Sequence, residues 1–290
     1  MELFRRYEKG RLWVIVGLTS LLAACGGGAN PAASSPGIPK PPITWMISTG
    51  ALDDLQQIGQ QSLASQFFNQ PQNWVVGSAF PSWAGNWTAR LVISEPSLPG
   101  ISGALAKGLP SSIKGVLYDL EDWSLSPSSE QQNPVGSTEA AQGLVHPFGL
   151  ELIATPAVDL VNVLSPGSDN HYASYLALDI PAVAQYADVF EIQAQGLETD
   201  ESGYASFVTA AAQEARKANP AVIVLAGLST NPNGQQVTSR ELYADVEATR
   251  NVVNGYWLNI PSGGSYCPKC GAPQPEVAVG LLQLLQESGP

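Results

Sequence analysis

Short apolar runs with the length of buried strands recur along this chain and alternate with longer stretches of helical pattern. Alternating strands and helices favour a parallel sheet with its helices packed outside it. Eight strands predict a closed (β/α)8 barrel of the TIM type, an α/β fold, in a single domain over residues 43–290. The eight runs are Ile43–Ser48, Trp74–Ala79, Arg90–Ser94, Gly115–Glu121, Gly149–Thr155, Asp188–Gln193, Val222–Leu228 and Gly255–Ile260.

The segments between these runs carry the expected signals of helix boundaries. Thr238 followed by Glu241 forms a capping box, which predicts a helix that ends near Asn251. The interval between the second and third runs is too short for a helix. The barrel is therefore expected to be irregular there, or the two runs form a hairpin. Three further helices are predicted over Ala51–Phe68, Tyr172–Tyr186 and Gly203–Ala218.

The amino terminus has the pattern of an export signal. Arg5, Arg6, Lys9 and Arg11 precede the uncharged stretch 12–24, which is short for a permanent membrane span. Its end, Leu22-Ala23-Ala24-Cys25, resembles the bacterial lipobox. The resemblance implies that residues 1–24 are a signal peptide and that Cys25 is lipidated and membrane-anchored, on the periplasmic or cell-surface side. An uncleaved anchor helix, or cleavage before an ordinary cysteine, is the alternative.

Residues 25–42, rich in Gly, Ala, Ser and Pro, are expected to be a flexible tether between the anchor and the barrel. The formal net charge is −12, which repels phosphate backbones, so nucleic acid is not an expected partner. Cys267 and Cys270 are predicted to form a disulfide in an oxidising compartment. Half of a zinc knuckle and a thioredoxin-like redox pair are the alternatives for this pair of cysteines.

The strongest candidate for chemistry is the end of the fourth run. Active sites of such barrels form at the carboxyl ends of the strands. Alternation along a strand places Asp119 and Glu121 on one face. Two neighbouring carboxylates repel each other as charges, so one should keep its proton near neutral pH, as a general acid requires. In the structural alternative, Asp119 only caps a loop.

The run Gly115–Glu121 resembles the end of the strand-four motif of chitinase-type glycoside hydrolases (family eighteen), Asp-Gly-x-Asp-x-Asp-x-Glu. The resemblance implies that Glu121 protonates the glycosidic oxygen and that Asp119 orients the substrate's N-acetyl group, which acts as the nucleophile. Lys114 and Leu117 stand where two aspartates of that motif belong. The aromatic-Asp pair of strand six is also absent, whereas Trp257 fits the tryptophan beneath the sugar.

Further polar and aromatic side chains are expected to line the same rim and to hold a saccharide, whose hydroxyl edges and apolar faces suit such a lining. Strand six is unusually polar for a buried strand, which indicates a ligand or an internal network. Glu191 alternatively forms a salt bridge with an arginine such as Arg90. The predicted saccharide-binding residues are Tyr118, Asp159, Glu191, Gln193, Gln195, Trp257 and Asn259.

The sequence contains no nucleophile elbow, phosphate loop or dinucleotide motif, and only two histidines. Carboxylate chemistry without a cofactor or metal is therefore favoured. The leading hypothesis is a membrane-anchored glycoside hydrolase that uses Glu121 as general acid. A non-catalytic lipoprotein that binds a saccharide or another envelope component on a degenerate barrel is the alternative. A divalent-cation site at Asp119, Glu121 and Asp122 is a third hypothesis.

Overall fold

The computed structural model describes residues 42–264 and 267–289. The predicted signal peptide, the lipidation of Cys25 and the tether up to residue 41 lie outside these residues. In the described ranges, no helix combines the length and the apolar character needed to cross a bilayer.

Eight parallel strands form a closed barrel in chain order, which confirms the predicted fold class. The barrel closes where β1 pairs with β8. Gly255 is required at this junction because a Cβ atom there would collide with the carbonyl group of Thr44. The strands are β1 (Thr44–Ser48), β2 (Trp74–Val76), β3 (Arg90–Glu95), β4 (Ile113–Tyr118), β5 (Glu151–Ala154), β6 (Val189–Ile192), β7 (Ile223–Ser229) and β8 (Gly255–Asn259).

Helices connect most of the strands and pack outside the barrel. The helix predicted over 51–68 is in fact two helices, separated at Gly59, which has a φ of 76° that favours glycine. The capping box of Thr238 and Glu241 is confirmed. The helices are α1 (Thr49–Gln57), α2 (Gln61–Phe68), α3 (Leu98–Lys107), α4 (Ser128–Gln131), α5 (Pro134–Val145), α6 (Val161–Leu164), α7 (His171–Ala177), α8 (Glu201–Ala218), α9 (Ser239–Thr249) and α10 (Pro275–Glu287).

Two connections depart from regular helices. The helix predicted over 172–186 ends early, because Asp179 has a φ of 55° and Pro181 follows it, so the rest is a 3-10 turn over Ile180–Tyr186. β2 and β3 pair in parallel, which excludes the hairpin alternative and confirms the expected irregularity. Their connection contains only a 3-10 turn, Ser82–Ala84.

The inside of the barrel is apolar at mid-height and charged at its amino-terminal end. The apolar layer is formed by inward-facing residues, among them Met46, Val92, Leu117, Ile153, Val189 and Leu225. At the amino-terminal end, Arg90 forms an ion pair with Glu151 and lies over the Trp74 ring at 4.8 Å from its centroid. The Trp74 indole N–H also donates to Glu151 at 3.0 Å. Arg90, Trp74 and Glu151 therefore form one connected cluster at this end of the barrel.

Candidate active site

The site is built on the continuation of β4. The prediction that this strand runs through Glu121 is wrong, because regular pairing ends at Tyr118. Two further backbone hydrogen bonds nevertheless extend the ladder: Asp119 N–H donates to Glu95 at 3.0 Å, and Ala157 N–H donates to Leu120 at 2.9 Å. Alternation thus persists beyond the strand, and Leu120 is buried in the outer layer. Asp119 and Glu121 point to the barrel mouth.

Asp119 and Glu121 are both only partly buried, and each carboxyl group acts on the pKa of the other. The Thr155 hydroxyl at the end of β5 donates to Asp119 at 3.1 Å. The Gln193 amide after β6 donates to Glu121 at 3.4 Å and to the carbonyl of Thr155 at 3.2 Å. Three neighbouring strands therefore hold the two acids side by side.

The electrostatic environment favours a proton on Glu121. Desolvation, followed by the charges of Asp119 and Asp159, raises the pKa of Glu121 to about 8. Desolvation also raises the pKa of Asp119, to about 6, against the opposing hydrogen bonds from Thr155 and Glu121. Near neutral pH the pair therefore keeps a proton, and Glu121 is the member with the higher pKa.

Asp159 and Asp122 lie at the outer edge of this pair. Asp159 follows β5 and accepts a hydrogen bond from Asp122 N–H at 3.0 Å. Desolvation raises the pKa of the Asp159 carboxyl, whereas the nearby His171 lowers it. Asp122 is exposed, and its carboxylate accepts from the Asn162 amide at 3.1 Å. The rim next to Glu121 is thus lined by carboxylates.

Glu191 on β6 is a third inward-facing acid. It is 0% exposed, while its neighbours Phe190 and Ile192 pack in the outer layer. The alternative in which Glu191 pairs with Arg90 is wrong, because Arg90 pairs with Glu151 at the other end of the barrel. Neither carboxyl oxygen of Glu191 has a hydrogen-bond partner among the described residues. Burial, then the charges of Asp119 and Glu121, raise its pKa well above the usual range.

The β6 to β8 side of the mouth adds an amide and an indole. Trp257 and Gly227 are register partners on β8 and β7. The Gln195 amide lies against Gly227, where a Cβ atom would displace it. It also approaches Glu191 without a hydrogen bond of normal geometry. Trp257 is partly buried, and its indole N–H finds no acceptor within the described part of the chain. Asn259, two residues further along β8, is also partly buried.

Tyr118 does not belong to this group. Its side chain lies between the barrel and the helices, is 1% exposed, and donates to Glu130 of α4 at 2.6 Å. The odd-numbered residues of this strand face inward, so an even-numbered neighbour has to face the helices. Tyr118 thus has a structural position that strand alternation already indicated.

Sequence reasoning missed three residues of the mouth. Thr155 positions Asp119, and only its place at the end of β5 could have indicated this. Glu198 is 1% exposed and joins the loop after β6 to β7, because it accepts from Gly196 N–H at 2.6 Å and Ser229 N–H at 2.8 Å. The hydroxyl of Ser229 is buried and has no partner among the described residues. No sequence motif marks Glu198 or Ser229.

The loops after β7 and β8 are joined to each other. Asn231 donates to the carbonyls of Pro261, Cys270 and Ala272 at 3.2, 2.8 and 3.3 Å. The predicted disulfide between Cys267 and Cys270 is present and lies in the second loop. Asn231 in the loop after β7 therefore holds the loop after β8 in place at the rim.

Metal binding is not favoured by this arrangement. Across the described ranges, no group of three or more His, Cys, Asp or Glu side chains is arranged to hold a metal ion. The Asp119, Glu121 and Asp122 hypothesis of a divalent-cation site therefore lacks the geometry it needs.

Comparison with known proteins gives fold-level likenesses. No family model matches the chain, and no curated protein sequence matches it. A chitinase from Chromobacterium violaceum has a TM-score of 0.45 at 12% identity and covers 83% of this chain and 98% of its own. A GH18 chitinase from Pseudoalteromonas aurantia has a TM-score of 0.36 at 16% identity, over 60% of this chain and 69% of its own.

The carboxyl transferase domain of a Rhizobium etli pyruvate carboxylase has a TM-score of 0.44 at 12% identity, and covers 87% of this chain and 52% of its own. These identities are too low to transfer an activity. The chemistry of this chain therefore rests on its own side chains.

Proposed function

We propose that this protein is a membrane-anchored, extracytoplasmic glycoside hydrolase in which Glu121 is the general acid and Asp119 is its partner. The observation that carries the proposal is the pair of inward-facing carboxyl groups at the carboxyl end of β4, which Thr155 and Gln193 hold beside each other. One of these groups keeps a proton near neutral pH while the other is ionised. A saccharide is the expected ligand and the membrane the expected partner of the amino terminus.

Glu121 has the two properties that protonation of a glycosidic oxygen requires. Its pKa of about 8 keeps the proton in place at neutral pH, and its side chain is partly exposed at the barrel mouth. An acid of this kind contributes roughly 10²–10⁴-fold to the rate by protonating the leaving oxygen as the glycosidic bond breaks.

Asp119 is suited to support the reaction rather than to act as an independent second catalyst. Its carboxyl group accepts from the Thr155 hydroxyl at 3.1 Å and lies beside Glu121 on the same face of the extended β4. The resemblance to chitinase-type enzymes implies that the nucleophile is the substrate's own N-acetyl group, oriented by Asp119.

The remaining mouth residues are proposed to hold the sugar. Gln193 and Gln195 present amides, Asn259 adds a third, and the Trp257 ring offers an apolar surface with an indole N–H that no described residue engages. Sugar hydroxyls and ring faces match this combination. Glu191 and Asp159 add acceptors at the floor and the rim.

The test is hydrolysis by the full chain against a panel of glycans that includes chitin fragments and peptidoglycan. Glu121→Gln is expected to lower the rate by about 100-fold or more without lowering the Tm, because the transferable proton is removed and no carboxyl group remains to ionise in the folded state. The matched control is Glu287→Gln, an exposed acid at the end of α10, which should keep the wild-type rate. An active wild type together with an equally active Glu121→Gln variant would reject the role of Glu121.

The anchor is tested separately from the chemistry. In a bacterium that processes lipoproteins, the full chain is expected to incorporate labelled fatty acid and to sediment with membranes. Cys25→Ser should abolish the label because the acyl acceptor is the thiol of Cys25. Labelling that survives this substitution would exclude Cys25 as the lipidated residue.

One observation favours a second candidate, a non-catalytic saccharide-binding lipoprotein. Leu117 lies in the apolar layer of the barrel, where the resembling motif has an aspartate, so the row of acids in this chain is shortened. A glycan that raises the Tm of the wild type without being cleaved would select this candidate over hydrolysis.

A further inference from the structure

The two ends of the barrel differ in charge. Helices of this fold run opposite to the strands, so residues at strand ends and at helix starts share the carboxyl end. Arg240 and Lys269 are the lysine and arginine residues at that end in the described chain, and both are exposed. The others lie at strand starts or helix ends, at the amino-terminal end: Arg90, Lys107, Lys114, Arg216, Lys217 and Arg250.

Acids are frequent at the carboxyl end, and they have several roles. Asp200 and Glu241 cap helices α8 and α9, so helix stability accounts for them. Helix capping does not account for the acids that surround the candidate site. These are Asp119, Glu121, Asp122, Asp159 and Glu191, which line the mouth from its rim to its floor.

Glu191 gives an independent indication of a ligand. It is fully buried at the floor, and both of its carboxyl oxygens are without a hydrogen bond from any described residue. A buried acceptor of this kind is costly unless a donor reaches it. The indole N–H of Trp257 is not paired with it either. A ligand group rich in N–H or O–H donors would satisfy this position.

Cations of the protein do not compensate this cluster. In the part of the chain that the structure describes, the observed ion pairs of lysine and arginine involve Glu151, Glu214 and Glu247, which all lie at the amino-terminal end. His171 is the basic side chain that acts on Asp159. Because Glu121 and Glu191 keep their protons near neutral pH, the aspartates Asp119, Asp122 and Asp159 are the groups of the mouth that attract positive charge and repel negative charge from outside.

We propose, resting on the glycoside hydrolase function above, that the natural substrate is a cationic glycan, a chain of amino sugars of which part carry free ammonium groups. Ammonium groups would lie against Asp122 and Asp159 at the rim, while acceptors on the floor bind hydroxyl or amine donors. Uronate-rich or otherwise anionic glycans would be excluded by the same field.

The experiment measures binding by the full-length Glu121→Gln variant, which removes turnover. The probes are three oligosaccharides of equal length: a glucosamine oligomer, an N-acetylglucosamine oligomer and a galacturonate oligomer. The glucosamine oligomer is expected to bind about tenfold more tightly than the acetylated one at low salt, and the difference should shrink at high salt. No binding of the galacturonate oligomer is expected.

Matched variants locate the effect. Asp122→Asn in the Glu121→Gln background should weaken binding of the glucosamine oligomer about threefold, in line with one exposed ion pair, and leave the acetylated oligomer unchanged. Glu287→Gln in the same background removes an equal charge at the far end of the barrel and should change neither affinity.

The outcomes separate this inference from the proposed function. Equal or tighter binding of the acetylated oligomer, or a preference that does not depend on salt, overturns the cationic substrate while hydrolysis of neutral glycans would still support the enzyme. Failure of all three oligomers to bind overturns the inference and, if the wild type also cleaves none of the glycan panel, the proposed function with it.

Discussion

The two ends of the barrel interior surround an inward-facing glutamate in different ways. At the amino-terminal end, Glu151 is an acceptor for both Arg90 and Trp74. At the carboxyl end, Glu191 is buried without a cation or a donor among the described residues. Both are glutamates on neighbouring strands of one barrel, so residue type does not account for the difference. Glu151 is 32% exposed, whereas Glu191 is 0% exposed.

The comparison shows which end is built for stability and which for chemistry. A satisfied carboxylate holds neighbouring strands together and has no reason to accept a proton or a ligand. A buried carboxyl group without a hydrogen-bond partner destabilises the folded state. Such groups are found mainly at functional sites, where a ligand or a reaction uses them. Asp119 and Glu121 lie beside Glu191, at the carboxyl end of the barrel.

The largest expected effect is on the pH dependence of hydrolysis. The rate should fall about tenfold per pH unit above about 8, as Glu121 loses its proton, because the leaving oxygen can no longer be protonated. It should also fall below about pH 6, as the carboxylate of Asp119 gains a proton. The measurement is kcat/KM against pH. If kcat/KM instead fell with an apparent pKa close to 4.5, the ordinary value of a glutamic acid, the assignment of Glu121 as general acid would be contradicted.

The next largest effect concerns the satisfied end. Glu151→Gln is expected to destabilise the protein by about 1–3 kcal/mol, because a charge-assisted bond to Arg90 is lost and the arginine is left beside Trp74. Urea unfolding checks this, with Glu287→Gln as the exposed control. A stability equal to that of the wild type would mean that the two ends do not differ as described.

The smallest effect is expected at the unsatisfied end, and it has the opposite sign. The pKa of Glu191 is raised by folding, so the folded state keeps a proton that the unfolded state releases above its ordinary value. The free energy of unfolding is therefore not reduced by Glu191 below pH 4.5, the ordinary pKa of a glutamic acid, and it declines as the pH rises above that value. Glu191→Gln removes the decline, so the variant should equal the wild type at low pH and become more stable than the wild type as the pH rises.

Thermal unfolding of both proteins across pH measures this gain. A variant that is less stable than the wild type at every pH would show that Glu191 has partners that stabilise the fold. The contrast between the two ends would then disappear.

Much of the fold follows from local sequence patterns. Apolar runs predict the eight strands because each has to bury two faces, and the capping box predicts the start of α9. The break of the first long helix at Gly59 and the early end of α7 at Asp179 were not predicted. Both depend on single backbone dihedral angles, which a periodic pattern does not encode.

The candidate site was predicted in part. Strand alternation places Asp119 and Glu121 together, and the same rule places Tyr118 among the helices, against Glu130. Glu191 and Gln193 were predicted to line the same rim, whereas Thr155 was not. Their contacts with the two acids were not predictable, because these residues come from other strands and their distance from Glu121 depends on the register of two strand pairs.

The sequence by itself determined the alternation of strands and helices, the pairing of two acids along one strand edge and the cysteine pair, because each is a property of near neighbours in the chain. Only the tertiary structure decided that Arg90 satisfies Glu151 while Glu191 stays unsatisfied among the described residues. Closing a barrel sets which inward side chains share a level, and that depends on how all eight strands are staggered.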